Sequence, residues 1–155
     1  MLRRFLPLAF AVVLTATAQK YAGPRPPKAD LPYLKHAANL IPTEAVEAKE
    51  EKKKDDTLCV IDGANSPVKT PLSLPIFLLK AAKLAPERLQ LFKLESKNGR
   101  REILFSRKNP PTAIRVEVTR LDSDLYRIEV GESLEPGEYS LSPEGSSQVF
   151  CFQVF

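Results

Sequence analysis

The chain has 155 residues, 43% hydrophobic and 27% charged, with 14 prolines, 2 cysteines, 1 histidine, no tryptophan and a formal net charge of +4. That is the size and balance of a single globular domain, which excludes a multidomain enzyme. Two cysteines cannot build a dense disulfide framework, one histidine leaves little for a zinc site, and no cofactor is expected.

Met1 to Arg4 gives a positive start, Phe5 to Leu14 an apolar run, and Ala16-Thr17-Ala18 small residues where a signal peptidase reads. A cleaved signal peptide over residues 1–18 follows, and with it export to a periplasmic or extracellular compartment. The run is about half of what a bilayer-spanning helix needs, so no transmembrane segment is expected in the mature chain. Cleavage would leave 137 residues and, with Arg3 and Arg4 gone, a charge of +2. That charge is too balanced for a nucleic-acid partner.

Residues 19–32 carry Gly23-Pro24-Arg25-Pro26-Pro27 and Pro32 and read as an extended, polyproline-like arm, with residues 33–155 as one domain. Tyr33 to Ala37 suits a short first strand, and Tyr21 and Tyr33 are expected to be exposed. Thr43 to Asp56 is open between a helix capped by Thr43 and a long polar hairpin running into Thr57 to Ile61. The hairpin is preferred, because the segment has almost no apolar helical face. Pro67, Pro71 and Pro75 make a rigid loop, Ile76 to Leu79 a buried strand, and Ala81 to Arg88 a helical turn interrupted by Pro86.

From Leu89 the period is two. Leu89 to Lys97 and Arg100 to Ser106 flank Asn98-Gly99, a hairpin dipeptide. Ile114, Val116 and Val118 alternate with charged and polar neighbours, as do Tyr126, Ile128 and Val130 after a turn at Leu121 to Asp124. Glu138 to Ser142 and Gln148 to Val154 follow. About seven short strands with no crossover helices predict an all-β, immunoglobulin-like antiparallel β-sandwich.

Leu134-Glu135-Pro136-Gly137-Glu138-Tyr139 reads L-x-P-G-x-Y at the entry to a strand. It resembles the tyrosine corner of immunoglobulin-like and fibronectin-type sandwiches. That resemblance makes Tyr139 the corner residue, Leu134 a core plug and Pro136-Gly137 the turn. The stretch from Leu134 to Phe155 is similar to the close of small exported bacterial β-sandwich proteins of uncharacterised activity. The resemblance implies a compartment and a fold, and no reaction.

Cys59 and Cys151 form a candidate disulfide, worth about 4 kcal/mol across so long a loop, with two small buried hydrophobes as the alternative. His36 has no acid beside it in sequence and no serine sits in G-x-S-x-G, so no catalytic residue is assigned. Asp122-Ser123-Asp124 lacks the glycine and glutamate of a calcium loop and reads as a turn. The expectation is a non-enzymatic structural or protein-interaction module of the cell envelope, meeting an envelope protein through the arm and the Asn65 to Pro75 loop. The alternative is a small secreted hydrolase or hydrolase inhibitor acting through Lys108 to Thr112. A third reading has the polar Glu44 to Asp56 region pairing with a neighbour's edge strand.

Overall fold

The computed structural model describes residues 20–155; the expected signal peptide over 1–18 lies outside the described residues. The described residues form thirteen strands and a single 3-10 turn, Pro86–Arg88. In chain order the strands are β1 (Tyr33–His36), β2 (Asn39–Pro42), β3 (Glu44–Glu47), β4 (Lys49–Lys53), β5 (Asp56–Asp62), β6 (Lys69–Thr70) and β7 (Ile76–Lys80). Then come β8 (Leu89–Lys97), β9 (Arg100–Phe105), β10 (Val116–Arg120), β11 (Leu125–Val130), β12 (Gly137–Pro143) and β13 (Gln148–Val154). The chain is therefore all-β, but with thirteen strands in place of about seven. The surplus comes mostly from residues 39–62, where charged sequence that alternates poorly by hydropathy nevertheless runs extended.

Five strands make one sheet in the order β10-β11-β7-β1-β2, and eight make the other, β3-β13-β12-β8-β9-β5-β4 with β6 beside β13. All ladders are antiparallel except the two-residue β6–β13 pair. The hairpin at Asn98-Gly99 has φ of 53° and 74° at its two central residues, the left-handed pair that matches strand twist in a two-residue turn. Leu34, Phe77, Leu79 and Ile128 of the first sheet pack against Leu91, Tyr139, Leu141, Phe150 and Phe152 of the second. Phe77 meets the edge of Phe152 at 5.1 Å between centroids, and Phe152 stacks on Tyr139 at 5.6 Å. This is a β-sandwich core.

The second sheet does more than back the first. Its path begins at β3 and ends at β4, and these two strands are separated in the chain by Ala48 alone. Glu47 pairs with Gln148 of β13, Lys49 pairs with Val60 of β5, and the Ala48 N–H between them donates to the Ser147 carbonyl at 2.8 Å. One bent strand thus joins both ends of the path, and the sheet closes into a six-walled barrel of β3/β4, β5, β9, β8, β12 and β13. Closure leaves β3 and β4 each with one short unpaired margin, in place of the two full edges that an open seven-strand path would have.

Strands β8, β12 and β13 are a wall common to sandwich and barrel. Along β12, Tyr139 and Leu141 enter the sandwich core while Ser140 and Ser142 face the barrel; along β13, Phe150 and Phe152 enter the sandwich while Val149 and Cys151 face the barrel. Burial on both faces explains why Val149-Phe150-Cys151-Phe152 is an unbroken apolar run.

The Pro-rich segment is docked along the first sheet. The Arg25 guanidinium donates to Asp122 Oδ2 at 2.7 Å and lies over the Tyr21 ring. Asp30 accepts from the backbone N–H groups of Ala82, Lys83 and Leu84 at 2.9 to 3.2 Å. Tyr33, expected at the surface, is only 4% exposed, because it lies opposite Leu78 on a ladder with strands on both sides.

Candidate functional site

Inside the barrel is a cavity of about 590 Å³. Its lining follows from the period-two geometry of the six walls, each of which sends every second side chain inward. At the mouth stand Gln90, Ser142, Thr57, Glu50, Ser147 and Phe105. Below them come Phe92, Ser140, Cys59, Ile103, Ala48 and Val149, and deeper again Leu94 and Ile61. Polar groups therefore ring the opening and apolar groups fill the depth. Phe92 and Phe105 meet edge to face at 5.5 Å where β8 and β9 diverge past their short ladder.

The base is sealed by a charged plug. Arg101 is 1% exposed, and its guanidinium holds both carboxylate oxygens of Glu44, at 2.6 and 3.1 Å, and the carbonyls of Asp62 and Gly63, at 2.7 and 2.9 Å. Such a bidentate pair is the geometry in which a buried ion pair is satisfied. Beside it the Glu138 carboxylate accepts the Ser66 N–H at 2.6 Å. Burial pushes the Glu138 carboxyl above the usual range, and the Ser66 N–H and Arg101 offset this only in part. Cys151 lies against the same plug, and burial pushes its thiol up to about 12.

The outer face of the barrel accounts for the charge-dense segment. Leu58 and Val60 are buried there beneath a lattice in which Lys49 meets Asp62 at 3.3 Å and Arg100 meets Glu51 and Glu102 at 3.0 and 3.2 Å. The aliphatic stems of these side chains cover apolar surface while their heads stay in water.

Cys59 and Cys151, the candidate disulfide, are both free thiols. Cys59 pairs with Glu50 and Ile103 on the outer wall and lines the cavity, whereas Cys151 pairs with Ser140 and Glu44 and lies at the plug. Burial, then Glu50, pushes the Cys59 thiol up as well. Of the L-x-P-G-x-Y residues, Leu134 is in the sandwich core and Pro136 and Gly137 lead into β12. The Tyr139 hydroxyl donates to the Glu135 carbonyl at 2.7 Å. None of the four lines the cavity.

His36 bonds Thr70 Oγ1 at 2.8 Å and is not among the lining residues. Lys108 to Pro110 stand exposed in the loop that leaves β9 at the cavity mouth, anchored where the Arg107 N–H meets Asp56. No group of three or more His, Cys, Asp or Glu side chains stands together among the described residues. No helix among them is long and apolar enough to cross a membrane.

Sequence reasoning missed the lining residues Gln90, Phe92, Ser140 and Ser142. The signal for them was present in β8, where Leu89 and Leu91 alternate with Phe92 and Leu94, so that both faces are apolar and two cores are needed. The fold and site define a β-sandwich fused to a closed barrel with an apolar, polar-rimmed cavity. No family model, curated protein or solved structure matches the chain.

Proposed function

We propose that this chain is an exported, non-catalytic binding module of the cell envelope, in which the sandwich is scaffold and the barrel holds a small molecule. The observation that carries this is the cavity itself: about 590 Å³, open at one end, apolar in its depth and closed at its base by the Arg101–Glu44 ion pair. Sites for small ligands have this concave, mostly apolar form with few polar groups. Export rests on the sequence of residues 1–18. The non-catalytic reading draws support from the cavity's serines having no imidazole beside them, since His36 is engaged with Thr70.

The test is native mass spectrometry of the protein taken from the envelope of the cell that makes it. The expected result is a bound small molecule that is released on unfolding. A bare chain would overturn the binding reading, and turnover of a generic ester, glycoside or peptide substrate would overturn the non-catalytic one.

A protein contact is favoured by a separate observation. Leu72 and Leu74 are 44% and 52% exposed on the Pro-rich loop, and Phe155, whose N–H bonds the Thr70 carbonyl, is 63% exposed. Exposed apolar groups on these two adjoining segments suit an envelope-protein partner. Changing Leu72 and Leu74 together to Ser should abolish a specific envelope cross-link and leave stability unchanged.

A further inference from the structure

We propose that the cavity takes an uncharged lipophile, an apolar body with a single hydrogen-bonding head, held at the mouth by the Ser142 hydroxyl. This rests on the binding reading above and names the ligand class for the same site.

Three features of the cavity specify that class. Ser142 Oγ is buried and has no hydrogen-bond partner in the protein. A buried polar atom left in that state is costly unless something reaches it, and Ser142 is directly across the ladder from Gln90, a second group of the mouth. Below them Phe92, Ile103 and Leu94 offer carbon surface to an apolar body.

Charge selects the head. At the base, Arg101 is paired with Glu44 and bonded to two backbone carbonyls, and the Glu138 carboxyl stands beside it, so the depth offers no unpaired cation to an anionic group. At the mouth, the acid that lines the cavity is Glu50, and the nearby Lys52 ammonium donates to Thr57 Oγ1 at 3.1 Å. A carboxylate head would meet Glu50 at the opening. A hydroxyl or an amide meets Ser142 and Gln90 without that repulsion. The volume suits a molecule of drug or short-lipid size, since such sites span about 300 to 1,000 Å³.

The experiment uses the full exported chain, reduced with dithiothreitol, and N-phenyl-1-naphthylamine as a neutral fluorescent probe. The probe should bind saturably at one site, and 1-decanol should displace it about tenfold better than decanoate. Ser142→Ala removes one hydrogen bond and should weaken decanol about fivefold relative to the probe. Because Ser142 Oγ has no partner in the protein, this variant should fold as well as the parent.

Cys59 supplies a second readout that needs no variant. Decanol should slow its alkylation by N-ethylmaleimide, and the alkylated protein should no longer bind the probe. Decanoate equal to decanol, or Ser142→Ala without effect on decanol, would overturn the ligand class and leave the binding reading standing. Absence of saturable probe binding overturns the class too, and only a bare chain in the native mass measurement then removes the binding reading.

Discussion

Arg101 shows how much a single side chain can decide. It is long enough to cross the base of the barrel, and its guanidinium makes four hydrogen bonds, two to Glu44 and two to backbone carbonyls. Arg101→Met leaves the Glu44 carboxylate and both carbonyls behind in a largely buried site, so it should cost about 3 kcal/mol. Urea denaturation would show this, and recovery of most of the loss in Arg101→Met with Glu44→Leu would identify the stranded charge as the cause. A single variant within 1 kcal/mol of the parent contradicts this account of the plug.

Glu138 and Asp30 give opposite pH dependences. Burial raises Glu138 above its ordinary value of 4.5, so the unfolded chain ionises first and stability falls as pH rises from there to the folded value. Glu138→Gln keeps an acceptor for the Ser66 N–H and should abolish that fall. For Asp30, slight burial raises the carboxyl, but the N–H groups of Leu84, Ala82 and Lys83 outweigh it and hold it below its ordinary 3.8. Its contribution is present above 3.8 and lost as pH falls through the lower folded value; Asp30→Asn should remove that loss. Thermal melts from pH 3 to pH 8 on the two variants separate the slopes.

At the scale of elements, the arm and the outer wall differ in how they are held. The arm is fixed at points, chiefly Asp30 and Arg25. Asp30→Ala should release it at a cost of about 1 to 2 kcal/mol, because three backbone donors lose one acceptor, and proteolysis near Gly23 should quicken. Unchanged cleavage there would mean that the apolar contacts of the arm suffice.

The same contrast explains what the sequence disclosed. The Asn98-Gly99 hairpin and the later strands were legible because turn chemistry and period-two alternation are local properties. The hairpin preferred for Thr43 to Asp56 is present from Lys49 onward, as β4 and β5, because its stripe is too poor for a helix to bury, while Glu44–Glu47 pairs instead with β13. What could not be read was the barrel. Its inner stripe on β3/β4 is only Val46 and Ala48 between acids, its outer stripe is covered by charged stems, and its closure depends on pairing residues about a hundred positions apart. The cavity belongs to six strands at once and has no local signature.

The whole molecule is two cores divided by a common wall. Strands β8, β12 and β13 are braced from both sides, whereas every residue of β4 is exposed and its ladder is five pairs long. Local opening should therefore begin at the outer wall while the sandwich stays folded. Amide hydrogen exchange should show β4 and the adjoining half of β5 opening at least about 2 kcal/mol below β12 and β13. A bound lipophile should slow the outer wall selectively, since it stabilises only the form in which the barrel is shut. Uniform exchange across both walls would mean a single cooperative unit.

The bend at Ala48 has a further consequence for how copies of this chain meet one another. Because β3 and β4 are continuous, the second sheet leaves a neighbouring molecule only the short far sides of these two strands, and the unpaired strand margins of the first sheet are those of β2 and β10. Strand β2 is four residues long and ends in Pro42, which has no N–H to give, and β10 carries Glu117 and Arg120. Short length, proline and charge all discourage strand addition between molecules. A chain rich in β-structure can thus stay dispersed at high concentration, and lengthening the joint at Ala48 by a few glycines should convert it into one that assembles.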